Sequence, residues 1–154
     1  INIMLTLSPI RHLKDGAEDN SLSKAILRTA IDGICKHEKV FYFPSYELLI
    51  DDLRDYRFYQ SDLCHPSKEA IDYIWEKFSD CYFKKETKDV LTKINELQTA
   101  LHHRPFNPSS EEYLHFLEKQ ISEAEKLHTI IPLVPLATIK DELHSRKKEA
   151  LAGK

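Results

Sequence analysis

The opening of the chain, Ile1-Asn2-Ile3-Met4-Leu5-Thr6-Leu7, is the feature that most limits its fold. It is a short, nearly unbroken apolar run with no polar alternation. That is the pattern of a strand buried on both faces of a parallel sheet. Such a strand needs neighbours, so the pattern predicts that further strands precede Ile1. Any leader peptide would lie upstream as well, and these residues say nothing about secretion. Ser8-Pro9 ends the run. A second strand, Val40-Phe41-Tyr42-Phe43, is stopped by Pro44. Residues 10–19 are polar, include Gly16 and read as a loop. Asn20 suits the N-cap of a helix running to about His37, with Leu22, Ala25, Ile26, Thr29, Ala30, Gly33 and Ile34 on one face. Strand, helix and parallel strand in so short a span predict a βαβ crossover. The two strand ends then mark a carboxyl edge, where ligands bind in open α/β sheets.

The spacing predicts a short helix over Ser45 to Leu53, then an irregular aromatic stretch from Arg54 to His65. Pro66 fits the first turn of the next helix, where a missing N–H costs nothing. That helix runs to about Phe83 and is expected to bury Ala70, Ile71, Ile74, Trp75, Phe78 and Tyr82. The character changes after Lys84. Amphipathic helices are predicted over about Thr87 to Leu101 and Glu111 to His128, the second opened by a Ser109-x-x-Glu112 capping box. Arg104-Pro105-Phe106-Asn107-Pro108 connects them into an antiparallel hairpin. Ile131-Pro132-Leu133-Val134-Pro135 cannot be a regular helix, and residues 138–150 read as a last, frayed one. The chain thus divides into residues 1–84 and a helical extension over 85–154.

Composition narrows the function. Hydrophobic residues make up 42% and charged residues 31%, a folded rather than disordered balance. A formal net charge of -3 gives no electrostatic footprint for nucleic acid or an anionic membrane. No apolar run nears the roughly 20 residues of a membrane span. Cys35, Cys64 and Cys81 fit neither a C-x-x-C site nor a disulfide framework, and a sparse odd count favours a reducing, cytoplasmic compartment. His102-His103 lacks a suitably spaced third ligand, so neither a metal nor a cofactor is expected.

Chemistry concentrates in Ser61-Asp62-Leu63-Cys64-His65-Pro66-Ser67. A carboxylate three residues before a histidine, on a loop entering a helix, can bend back to one ring nitrogen. That contact fixes the tautomer and frees the other nitrogen as a base. The plainer alternative is that Asp62 caps the local turn and His65 merely begins the helix. Around the strand ends, Ser8, Arg11, His12, Tyr46 and Glu47 are candidate cleft residues for binding substrate. Ser8-Pro9 also reads as a simple turn, and Arg11 and His12 as solvated loop residues. The segment Arg54-Asp55-Tyr56-Arg57-Phe58-Tyr59 is either a rim for a sugar or acyl chain, or a structural loop. In the structural reading Arg54 or Arg57 pairs with Asp51, Asp52 or Asp55. Cys64 reads as a packing residue rather than a reactive thiol.

Several separate motifs carry a resemblance. Ser8-Pro9-Ile10-Arg11-His12-Leu13-Lys14-Asp15 is similar to the SPVRHLKDG stretch of the GSCFA family. Tyr42-Phe43-Pro44-Ser45-Tyr46-Glu47, Asp52-Leu53-Arg54-Asp55-Tyr56-Arg57-Phe58-Tyr59, Asp62-Leu63-Cys64-His65-Pro66-Ser67 and Ala70-Ile71-Asp72-Tyr73-Ile74-Trp75 follow in that family's order. The resemblance spans residues 1–84 and extends loosely into the helical tail. GSCFA proteins are bacterial and look like SGNH hydrolases. The resemblance therefore implies the C-terminal part of a flavodoxin-like three-layer α/β/α domain, followed by the helical hairpin. It implies hydrolysis of acyl esters of small molecules or carbohydrates, without a cofactor. Asp62 would be the orienting acid and His65 the general base. The family's Gly-Ser-Cys-Phe-Ala stretch, whose serine would be the nucleophile, is not among these 154 residues. Alone, then, this chain should not hydrolyse esters. The competing expectation is a non-catalytic binding or scaffolding protein, whose helical extension docks a partner or a second copy of itself. A strand left with an unpaired edge would also be an aggregation hazard.

Overall fold

The computed structural model describes residues 1–14 and 16–152. It separates into two compact units, Ile1–Tyr82 and Phe83–Lys154.

The first unit is built on strand β1 (Ile3–Thr6), helix α1 (Gly16–Ile34) and strand β2 (Val40–Phe43). The strands pair in parallel, with Ile3 opposite Val40 and Thr6 opposite Phe43. Strand alternation sends Met4, Thr6, Phe41 and Phe43 to one face and Ile3, Leu5, Val40 and Tyr42 to the other. Helix α3 (Lys68–Tyr82) lies against the first face, where Phe43 meets Phe78 edge-on at 5.1 Å. Helix α1 lies against the second, where the Arg28 guanidinium sits 4.3 Å above the Tyr42 ring. The βαβ crossover is therefore present.

The flavodoxin-like three-layer domain is not. Among the described residues only two strands pair, and helices dominate the chain. The reason lies in the pattern itself. Only Ile3–Thr6 and Val40–Phe43 have strand character, and most of the other apolar positions repeat at helical spacing. With no third strand, residues expected to be buried on both faces are open: Ile3, Met4 and Phe41 are exposed. Ile71, Trp75 and Tyr82 of α3 are exposed as well, and Ala70 alone among the expected core residues of that helix is fully buried. An apolar cleft of about 340 Å³ lies between Met4, Phe43, Ile71, Trp75 and Phe78.

Helix α1 also differs from its expected form. It starts at Gly16, whose φ of +82° suits a residue without a Cβ, rather than after Asn20. The Asn20 side chain instead accepts the His12 backbone N–H at 2.8 Å. The face turned inward carries Asn20, Lys24 and Arg28 at i, i+4 spacing, while Leu22, Ile26 and Leu27 are exposed. A two-stranded sheet covers one narrow stripe of the helix, and polar contacts to the strand ends decide which stripe that is.

After β2, helix α2 (Ser45–Glu47) passes directly into a π-helical turn over Leu48–Leu53, ended by Arg54 at φ +49°. Leu49 is its buried anchor. The strand ends are tied together by hydroxyls: Ser45 Oγ donates to the Leu7 carbonyl and Thr6 Oγ1 to the Phe43 carbonyl, both at 2.8 Å. Helix α3 is capped by Ser67, whose Oγ accepts the Ala70 N–H at 3.3 Å. Pro66 stands just ahead of this cap, not in the first turn.

The second unit contains α4 (Lys85–His102), α5 (Glu111–Ile130) and α6 (Ala137–Ala152). The expected hairpin is thus joined by a full third helix. Its Leu143 and Ala150 are buried against Tyr113, Leu117 and Ile121. A neighbouring cluster holds Leu97, Ala124, Leu127 and Leu136. Helix α6 looked frayed because its apolar stripe is sparse, with Ile139, Leu143 and Ala150 spread over three turns. Lys147–Glu118 at 2.8 Å adds a polar tie to α5. The cap of α5 is Ser110, one residue beyond the expected Ser109, and its Oγ accepts the Tyr113 N–H at 3.2 Å. Among the described residues no helix is long and apolar enough to cross a membrane.

Candidate functional site

The D-x-x-H segment forms the tip of a short antiparallel loop. Tyr59 and Pro66 bridge across its base. Gln60 N–H donates to the His65 carbonyl at 2.8 Å, and Leu63 N–H closes the turn onto the Gln60 carbonyl at 2.9 Å. Leu63 sits at φ +54°, a left-handed conformation that costs a non-glycine residue about 1–2 kcal/mol. This conformation turns the following two N–H groups back toward Asp62. Asp62 Oδ1 accepts from Cys64 N–H at 2.9 Å and His65 N–H at 3.0 Å. The second oxygen, Oδ2, lies 2.6 Å from His65 Nδ1. Asp62 is thus both a cap for the turn and a partner of the imidazole, while His65 lies on the loop three residues ahead of α3 rather than at its start.

The segment after β1 reaches this loop. Arg11 N–H donates to the Cys64 carbonyl at 3.2 Å, and Arg11 Nη1 to the Leu63 carbonyl at 3.0 Å. The Cys64 thiol donates to the Arg11 carbonyl at 2.8 Å. Cys64 therefore joins two loops and is half-buried. Ser8 is exposed; its Oγ accepts the Ile10 N–H at 3.3 Å, as in a turn. The His12 side chain is exposed near the same strand end.

A GSCFA family model matches residues 1–78, and a model described as GSCFA domain protein, C-terminal domain matches residues 94–149. The chain belongs to the GSCFA family. No curated protein and no solved structure matches it. The first GSCFA match takes in both strands and the whole dyad loop, and the second takes in most of the three-helix unit.

The electrostatics of the GSCFA loop follow from its contacts. The His65 hydrogen bond, then the Cys64 and His65 amides, hold the Asp62 carboxyl down to about 2. Asp62 is therefore an anion throughout the neutral range. Its contact with Nδ1 selects the tautomer that carries the proton there, leaving Nε2 as the basic nitrogen. Both side chains are about half exposed, 46% for Asp62 and 52% for His65.

Tyr46 and Glu47 do not converge on the dyad. The Tyr46 ring lies 5.7 Å from Lys24 Nζ. Glu47 accepts the Tyr42 hydroxyl at 2.7 Å and Arg28 Nε at 3.2 Å. Burial, and then the Glu47 carboxylate, push the Tyr42 hydroxyl well above its ordinary range. In the aromatic stretch, Arg54 pairs with Asp51 at 3.8 Å and Arg57 with Asp55 at 4.0 Å. These are the ion pairs of the structural reading.

Sequence reasoning missed Lys24. It is 4% exposed, and its Nζ donates to the Ser8 carbonyl at 2.6 Å. Burial lowers its pKa. The available signal was the polar i, i+4 series Asn20, Lys24, Arg28, which reads as a solvated face unless the strand ends are seen to meet it. In the second unit, His102 Nδ1 faces the Gln98 carbonyl at 2.8 Å, and the His103 ring packs 5.2 Å from Phe116. His102 is thus engaged with its own helix, and His103 with the aromatic rings of α5.

Proposed function

We propose that Asp62 and His65 are the acid–base half of a serine-type acyl hydrolase acting on esters of small molecules or carbohydrates. The observation that carries this reading is the 2.6 Å contact between Asp62 Oδ2 and His65 Nδ1, on a carboxylate already fixed by two backbone amides. The nucleophile is the serine of the family's Gly-Ser-Cys-Phe-Ala segment. The proposal therefore concerns the protein in which that segment accompanies these residues.

The chemistry follows from the arrangement. As the serine Oγ attacks the ester carbonyl, His65 Nε2 takes its proton. The imidazolium that forms is stabilised by the ionised Asp62 at Nδ1. Collapse of the tetrahedral intermediate expels the alcohol, which receives that proton from Nε2. Water then repeats the sequence on the acyl-enzyme, with Nε2 as base toward water and acid toward the serine. Asp62 keeps its charge in every step.

The binding-scaffold alternative drew its support from the apolar stripes after Lys84. Those stripes supply the core of the three-helix unit, so no specific observation favours that reading. A serine-directed fluorophosphonate tests the proposal. The protein containing both segments should be labelled on the motif serine, and His65→Ala should lose nearly all labelling. Equal labelling of the His65→Ala protein, or none in the native one, would reject it.

A further inference from the structure

We infer that Arg11 is a positioning residue for the Asp62–His65 dyad, acting through the Leu63–Cys64 peptide that joins them. This inference rests on the acid–base reading of the dyad.

The argument is an accounting of backbone groups. Leu63 and Cys64 carry four backbone hydrogen-bonding groups between them. Leu63 N–H is taken by the Gln60 carbonyl and Cys64 N–H by Asp62 Oδ1. The two carbonyls are both taken by Arg11: Leu63 O by the guanidinium at 3.0 Å and Cys64 O by the Arg11 backbone N–H at 3.2 Å. The Cys64 thiol closes a third link to the Arg11 carbonyl. A left-handed leucine persists only where its surroundings over-determine it. Here the surroundings are the Gln60 turn on one side and Arg11 on the other. If Leu63 relaxes to negative φ, the Cys64 and His65 amides swing away from Asp62 Oδ1, and the Oδ2–Nδ1 contact loses its fixed geometry.

Arg11 is itself held. Five residues after the end of β1, it follows Ser8, whose carbonyl is tied to buried Lys24. Its guanidinium lies over the Tyr59 ring, 5.9 Å from the centroid, at the base of the same loop. The inner end of the brace is thus fixed to α1 and the outer end to the dyad loop. A planar guanidinium can donate to Leu63 O and stack on Tyr59 together, whereas a lysine ammonium is a point donor without a stacking plane. The two backbone links survive any substitution at residue 11 except proline, which has no N–H to donate to Cys64 O. A side-chain variant therefore isolates the Leu63 contact.

The test compares Arg11→Met, which keeps an apolar stem, with Arg11→Lys. Long-range proton–nitrogen spectra of the His65 ring report the tautomer directly. Native protein should show one tautomer with its proton on Nδ1. Arg11→Met should show a mixture of tautomers, and Arg11→Lys should recover part of the native signal. In the protein carrying the motif serine, Arg11→Met should lower kcat for an aryl ester by about 10²-fold with KM nearly unchanged, the scale of effect expected from a misplaced catalytic group. An unchanged His65 spectrum in Arg11→Met would overturn the inference. So would a raised KM at constant kcat, which would make Arg11 a substrate contact. Collapse of the dispersed amide spectrum of residues 1–82 in both variants would overturn it too, by making Arg11 a general stabiliser. If instead His65→Ala leaves ester hydrolysis intact, the acid–base reading fails, and the ring spectra still decide whether Arg11 sets the dyad geometry.

Discussion

Asp62 serves two purposes with its two oxygens, and that division makes its chemistry measurable. Its carboxyl is held at about 2 against an ordinary 3.8, first by the His65 ring and then by two amides. A carboxyl whose folded pKa lies below its unfolded one adds stability above the unfolded value, and this is lost as pH falls through the folded value. The window for Asp62 is therefore from about pH 4 down to about pH 2. Carboxyl carbon chemical shifts should give a midpoint near 2 in the native chain. In His65→Ala the midpoint should rise but stay below 3.8, because the Cys64 and His65 amides still donate. A midpoint unchanged by the substitution would mean that the ring contact is not made in solution. At this scale the sequence was informative. Asp62 and His65 are three residues apart, and their contact needs only a local turn. Lys24 was not legible, because its burial depends on Ser8 and Tyr46, which the chain brings to it from either end of the crossover. Tyr46 and Glu47 were legible as strand-end residues, but their neighbours on α1 were not.

Among the elements, helices could be read wherever the apolar stripe was dense. Helices α4 and α5 lie within a few residues of their expected ends. Helix α6 was underestimated because Leu143 and Ala150 carry its packing almost alone. Leu143 is fully buried in a cluster with Tyr113, Leu117 and Ile121. Leu143→Ala should cost about 2–5 kcal/mol, the range for removing a buried leucine side chain. Urea unfolding followed by helical circular dichroism measures it. A cost below about 0.5 kcal/mol, typical of a surface substitution, would return α6 to the frayed helix its sequence suggested. The face of α1 was misjudged for a different reason. Leu22 and Ile26 have the spacing of a core stripe, but hydrophobic spacing tells which residues share a face, not what that face meets. The Arg28–Glu47 ion pair, the Lys24 bond to the Ser8 carbonyl and the Asn20 bond from the His12 N–H hold the other stripe inward.

For the whole molecule, the expected flavodoxin-like domain failed on the number of strands. The resemblance carried a complete sheet with it, while among the described residues only two strands pair and helices dominate. The βαβ connection, the carboxyl-edge location of the loops and the GSCFA relationship did not depend on that count. The proposed function rests on the placement of one loop. Arg11 crosses from the end of β1 to the loop of residues 59–66, and there Asp62 fixes Nδ1 of a half-exposed imidazole. The decisive measurement is kcat/KM for a short-chain aryl ester in the protein that carries both the motif serine and this chain, native against His65→Ala. The account predicts hydrolysis that falls on the order of 10⁴-fold or more in the variant, as expected when the base of a serine-type site is removed. An inert native protein across a panel of acyl esters, or a variant with undiminished activity, would contradict it.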